Sequence, residues 1–146
     1  MATIAILPST KPLRIKETVG GAVRERLNPG ACGDLAKNYD TVIIGSTASD
    51  AFFRQITETI PPAARENFKL YSRSYFRRFP GARTGGGSDK AKDIRHDAWK
   101  AILKENGIKF EQSRKVVDED FRTVSRDFSW KELKDYITDE RVEVIT

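Results

Sequence analysis

Cysteine and histidine each occur once, as Cys32 and His96. A single cysteine forms no internal disulfide, so a disulfide scaffold is excluded. One histidine leaves a zinc site to find most of its ligands among carboxylates, and Cys32 and His96 stand far apart in the sequence, a weak basis for a nucleophile–base pair. No metal and no cofactor is expected. Long apolar runs are also missing. None approaches the roughly 18 residues that a membrane span requires, and the N-terminus lacks the basic-then-apolar pattern of a secretion signal. The expectation is a soluble intracellular protein, in a host cytoplasm or an assembled particle, with no membrane partner. The phosphate-binding fingerprints are absent too. Gly45-Ser46-Thr47-Ala48-Ser49 has neither the G-x-G-x-x-G spacing nor the lysine of a P-loop, and Gly81–Ser88 does not close with Gly-Lys-Ser/Thr.

What is present is a chain of 146 residues, 38% hydrophobic and 32% charged, which is the size of one domain. A single domain over residues 1–146 is expected, and 10% aromatics suffice for a core. Thr3–Leu7 is short, apolar and stopped by Pro8, as a strand is. Ile15, Val19, Val23 and Leu27 recur every four residues, which predicts an amphipathic helix weakened at Gly20-Gly21 and ended by Asn28-Pro29-Gly30. Thr41–Ile44 is β-branched and unbroken, the pattern of a strand buried on both faces.

Ser46, Thr47 and Ser49 then precede a helix carrying Phe52, Phe53, Ile56 and Ile60. Capping is the first role for these hydroxyls, and an anion-binding turn is the second. Pro61-Pro62 closes that helix and opens another over 63–79. A glycine-rich loop follows at Pro80–Ser88, then a helix from Ser88 or Asp89 to the Asn106-Gly107 stop. Ile108 and Phe110 suggest a strand, Val117, Phe121, Val124 and Phe128 a helix, and Ser129–Glu132 a capping box opening a short helix through Leu133 and Ile137. Val142–Ile145 reads as the last strand. The fold class is α/β or α+β, with a small sheet of three to four strands packed by helices; strands 3–7 and 41–45 are expected to be parallel neighbours.

The net charge of +5 is unevenly placed. Residues 65–100 hold ten Lys/Arg against four Asp/Glu, a balance of +6, while the segments on either side nearly cancel. On a helix over 63–79, Arg65, Lys69, Arg73 and Arg77 form one stripe, and Phe68, Tyr71, Tyr75 and Phe79 another. Arg78, Arg83, Lys90, Lys92 and Arg95 extend the basic surface through the loop into the next helix. Three readings fit such a stripe: a polyanion site with bordering tyrosines, a protein interface, and a solvated face paired with acids such as Asp118-Glu119-Asp120.

The expected function is non-catalytic. The chain reads as a structural or interaction subunit of a larger, nucleic-acid-containing assembly such as a virus or phage particle or a ribonucleoprotein, with segment 63–106 as its contact surface. Its partners are then other protein subunits, copies of itself among them, and DNA or RNA. A free-standing nucleic-acid-binding regulator is the first alternative. A small enzyme holding a phosphorylated ligand at the 45–50 turn is the second.

Overall fold

The computed structural model describes residues 3–76, 89–127 and 133–146, with backbone only for 76, 89–96, 113–114 and 125–127. The strands are β1 (Ile4–Leu7), β2 (Arg14–Val19), β3 (Ala22–Leu27), β4 (Thr41–Gly45), β5 (Phe68–Tyr71), β6 (Ser113–Val117), β7 (Thr123–Asp127) and β8 (Val142–Val144). The helices are α1 (Ala31–Asn38), α2 (Asp50–Thr59), α3 (Arg73–Phe76), α4 (Asp89–Glu105) and α5 (Leu133–Tyr136). The class is mixed α/β. The residues group into two compact units, Met1–Tyr75 with Glu143–Thr146, and Phe76–Val142.

The first unit is built on a four-stranded sheet in the order β5-β4-β1-β8. β1 pairs parallel with β4, Ile4 opposite Thr41 and Leu7 opposite Ile44, and β4 pairs parallel with β5. The expected β1–β4 neighbourhood is thus observed. Ala5, Ile6, Leu7, Val42, Ile43 and Ile44 are fully buried, as the two-faced apolar runs require. Phe52, Phe53 and Ile56 of α2 and Ala31 and Cys32 of α1 pack with the sheet residues Ala5, Leu7, Val42 and Ile44 in one core cluster. Burial pushes the Cys32 thiol above its ordinary range, so it serves as a small apolar side chain. β8 sits at the far edge, tied by the Ile145 N–H to the Ile6 carbonyl (2.8 Å) and by the Tyr39 hydroxyl donating to Glu143.

Two expected helices of this unit are something else. Residues 15–27 form the hairpin β2–β3, with Val19 opposite Ala22. The two-residue turn between them is Gly20-Gly21, with φ of 58° and 80°. Positive φ at both central residues is the type I′ geometry that matches strand twist, and glycine adopts it without a Cβ clash. The four-residue spacing of apolar side chains arises on both sides of that turn and has no helical cause. The helix linking β1 to β4 is instead α1, over a stretch with no strong periodicity. The 63–79 segment likewise splits into a 3-10 turn at Pro62–Asn67, strand β5 and the short α3. Phe68 and Tyr71, read as one helical stripe, are the two buried positions of β5.

In the second unit α4 runs to Glu105, as expected, with Ala98, Trp99, Ile102 and Leu103 buried. Gly107 (φ 66°) ends it in a left-handed turn, donating to the Lys104 carbonyl, while Ile108 donates to Leu103. Ile108–Phe110 forms no strand; a single bridge joins Phe110 to Ile137. The helix expected around 117–128 is the antiparallel hairpin β6–β7, with Val117 opposite Thr123. Leu133–Tyr136 is helical as expected, while the capping box at 129–132 and the loop at Pro80–Ser88 lie outside the described residues.

Asp139, 9% exposed, fixes the end of this unit. It accepts from the Lys109 and Arg141 N–H groups and from the Arg141 guanidinium at 2.8 Å, and Arg141 also donates to the Gly107 carbonyl. The Arg141 bonds hold the Asp139 carboxyl well below the usual carboxylate range.

Two outcomes follow from this packing. Ile43→Ala opens a cavity in the central strand and lowers the unfolding free energy by about 2–5 kcal/mol, read by urea denaturation. Asp139→Asn removes charge-assisted bonds worth about 1–3 kcal/mol near neutral pH. A depressed carboxylate contributes its stability above its unfolded pKa and loses it as pH falls toward the folded value. The gap between Asp139→Asn and the parent chain therefore narrows in denaturation curves taken progressively below about pH 4.

Candidate functional site

A parallel strand buried on both faces can present functional groups only beyond its ends. In open α/β sheets ligands settle outside the carboxyl ends of the strands, at the point where the strand order reverses. Here β1 is followed on one side by β4 and β5 and flanked on the other by β8, so the reversal lies at the carboxyl end of β1. The segment leaving it is Pro8-Ser9-Thr10-Lys11-Pro12-Leu13, with a 3-10 turn at Lys11–Leu13.

Two cavities flank this segment. One, of about 550 Å³, is lined by Ser9, Thr10, Lys11, Arg14, Lys16 and Glu25. The other, of about 200 Å³, is lined mainly by Leu7, Pro12, Leu13, Ala31, Leu35 and Ile145, with Asn28 and Asp34 at its border. The first is lined by polar and charged residues, three cations against one carboxylate, though their aliphatic stems also contribute to its walls. Thr10 is 4% exposed, and its hydroxyl accepts from Arg14 Nε at 3.1 Å. The Arg14 guanidinium lies over the Phe52 ring, 3.9 Å from its centroid. A planar cation seated on an aromatic face and tied at one nitrogen has lost most of its side-chain freedom already. Its other nitrogens are free of that bond and can be offered to an anion. The Ser9 hydroxyl accepts from the Lys11 N–H (3.1 Å), which shapes the turn beneath the cavity.

The 45–50 turn is a cap. Ser49 Oγ accepts from the Phe52 N–H at 3.2 Å, and Ser46 Oγ accepts from Ala48. Asp50 puts a carboxylate in the first turn of α2, where the helix dipole favours it, and accepts from Ser74 Oγ at 2.7 Å. The Thr47 carbonyl accepts from Arg73 Nε at 3.2 Å. The hydroxyls of Ser46 and Ser49 thus bond within the turn itself.

The basic stripe is not assembled. Arg65 is exposed on the 3-10 turn, Lys69 is exposed on β5, and Arg73 is half-buried at the start of α3, so no helical face joins them. A stripe spaced by four needs a continuous helix, and β5 interrupts it. Lys69 has a structural use, since a charged side chain on an outer strand discourages edge-to-edge pairing. Lys90, Lys92 and Arg95 lie on α4 in the second unit, and Arg77, Arg78 and Arg83 lie outside the described residues. Ser9, Thr10, Lys11 and Arg14 went unnoticed in the sequence because residues 9–14 carry no motif or period, and Lys16 because residues 15–27 read as helix. The signal available was the first strand stopped by Pro8, with hydroxyls and a lysine directly beyond it.

Among the described residues no group of three or more His, Cys, Asp or Glu is placed to hold a metal ion, and no helix is long and apolar enough to cross a membrane. Comparison with protein-family models, curated proteins and solved structures returns no match.

Ser49→Ala removes one N-cap bond and costs about 0.5–2 kcal/mol, read by urea denaturation.

Proposed function

We propose that the first unit is a binding module for a phosphorylated small molecule, held beyond the carboxyl end of β1. The observation that carries this reading is the convergence of Lys11, Arg14 and Lys16 with the hydroxyls of Ser9 and Thr10 on one open cavity at the reversal point of the strand order. Its size falls in the range of about 300–1,000 Å³ usual for small-ligand sites. Its balance of three cations to one carboxylate suits an anionic ligand. Arg14 is the orienting group, since its fork can meet two phosphate oxygens, while the lysines add unoriented charge. These groups support binding; no reaction is assigned to them. This reading keeps the phosphorylated ligand of the second sequence alternative and moves it from the 45–50 turn to the 9–16 segment.

Calorimetry and thermal melting with inorganic phosphate, ribose 5-phosphate and AMP test it, with ribose and adenosine as uncharged controls. The phosphorylated compounds are expected to raise the melting temperature and the controls to leave it unchanged. Arg14→Ala and Lys16→Ala each weaken binding about tenfold or more, the size of one charge-assisted contact. Equal responses to AMP and adenosine, or no response to any phosphate compound, would sink the proposal.

The charge balance of +6 over residues 65–100 favours a second reading, the nucleic-acid-associated subunit. It rests on composition, since Arg65, Lys69 and Arg73 share no helical face. Fluorescence anisotropy with labelled DNA and RNA across a salt series separates the two. Polyanion binding loses affinity linearly in log salt through several released counterions, whereas a single phosphate group gives a shallow slope.

A further inference from the structure

The cavity beyond β1 holds one acid among its cations, and the hairpin ladder explains its place. Residues opposite each other in an antiparallel pair share a face of the ribbon. Arg14 stands opposite Leu27, Lys16 opposite Glu25 and Thr18 opposite Val23, so these six share one face of β2–β3. Glu17, Arg24 and Arg26 lie on the other face. The cavity takes its ribbon residues, Arg14, Lys16 and Glu25, from the first face alone. On the second face Glu17 is engaged by Arg26. Glu25 has no such partner. The ion pairs among the described residues are Glu17–Arg26 and Asp139–Arg141, so Lys16 and Glu25 line the cavity opposite each other without pairing.

A free carboxylate beside a phosphate site repels a dianion and weakens the binding of phosphate itself. That loss is offset only by a ligand that also gives the carboxylate a hydrogen bond to accept. Charge balance narrows the donor. Lys11, Arg14 and Lys16 against Glu25 leave an excess of two positive charges, and a phosphate monoester near neutral pH carries about −1.5 to −2. The rest of the ligand is then neutral, since an ammonium group leaves one positive charge uncompensated. A neutral donor for a carboxylate is a hydroxyl. The order of residues along the ribbon gives the direction. Arg14 stands at the root beside Ser9 and Thr10, Lys16 and Glu25 follow, and the exposed Thr18 and Val23 beyond them carry no charge.

We propose, resting on the phosphate-binding reading above, that the ligand is a hydroxylated phosphate monoester of the sugar phosphate class. Its phosphate lies inward at Arg14 and its hydroxyls donate to Glu25, which selects this ligand over phosphate esters without them.

Isothermal titration of the purified full chain with n-propyl phosphate, glycerol 3-phosphate, 3-aminopropyl phosphate and inorganic phosphate tests it. The three esters share a chain length and a phosphate and differ in what they offer Glu25. Glycerol 3-phosphate is expected to bind about tenfold tighter than propyl phosphate, the size of one hydrogen bond to a charged group, and tighter than aminopropyl phosphate. Glu25→Gln keeps the side-chain shape and removes the charge at an exposed position, so the melting temperature holds. In that variant inorganic phosphate and propyl phosphate bind about two- to fivefold tighter, while the advantage of glycerol 3-phosphate over propyl phosphate shrinks to about threefold or less. A purely structural role for Glu25 moves all four ligands together. Equal binding of propyl and glycerol phosphates by the parent chain, aminopropyl phosphate as the tightest ester, or an unchanged ratio in Glu25→Gln overturns the role of Glu25 and leaves phosphate binding standing. Failure of all four ligands to bind overturns both.

Discussion

β1 lies between β4 and β8 with every side chain 6% exposed or less, and that burial governs what the first unit can do. A strand enclosed on both faces has no surface of its own. Its backbone polar groups are spent on the ladders, and its side chains on the core. Polar side chains begin with the first residues that leave the ladder, Ser9 to Arg14. The same burial makes that segment rigid at its root. Leu13 is 1% exposed, donates to the Thr10 carbonyl, and accepts from the Asn28 N–H. Lys11 and Arg14 therefore project from a turn fastened on both sides. A cation site fixed in this way binds without first ordering its own backbone.

Arg14 shows how one side chain joins two layers. It begins β2, bonds back to Thr10, and stacks on Phe52 in the first turn of α2. The Ser49 cap sets where α2 begins and hence where Phe52 sits. The cap and the cavity are therefore distinct in chemistry but linked in geometry. Arg73 does similar work at the neighbouring strand end, bonding the Thr47 carbonyl and so tying α3 to the turn after β4. Of the basic residues that the sequence gathers into a stripe, this one is a fastener.

Buried strands were legible in the sequence because burial on both faces leaves a contiguous mark: Ile4–Leu7 and Val42–Ile44 contain no polar side chain. α2 and α4 were legible through their caps and stops, Ser49 and Asn106-Gly107. The hairpins were not. Val19, Val23, Val117, Phe121 and Val124 are exposed, so their spacing records no buried face, and a helical period appears in them by coincidence. Gly20-Gly21 between β-branched runs was the better signal for the first hairpin. The second offers no glycine at all, because Phe121 occupies the place where one belongs. The candidate cavity was hidden for a related reason. Its residues belong to a strand end and to the start of a hairpin misread as helix, so they share neither a motif nor a period.

The net charge is a weaker guide than its placement in three dimensions. Residues 65–100 hold most of the positive excess, yet Arg65, Lys69 and Arg73 are dispersed over a 3-10 turn, an outer strand and a short helix. The first 64 residues are nearly neutral by count, yet Lys11, Arg14 and Lys16 meet at one cavity while Glu17 pairs with Arg26 on the hairpin. That pair withdraws one charge of each sign, and the cavity keeps its own balance of three cations to one carboxylate, Glu25. A concave surface lined mostly by one sign of charge concentrates field lines, and these few side chains line such a surface beyond the carboxyl end of β1. A count along the chain averages over such local withdrawal, and the fold restores it.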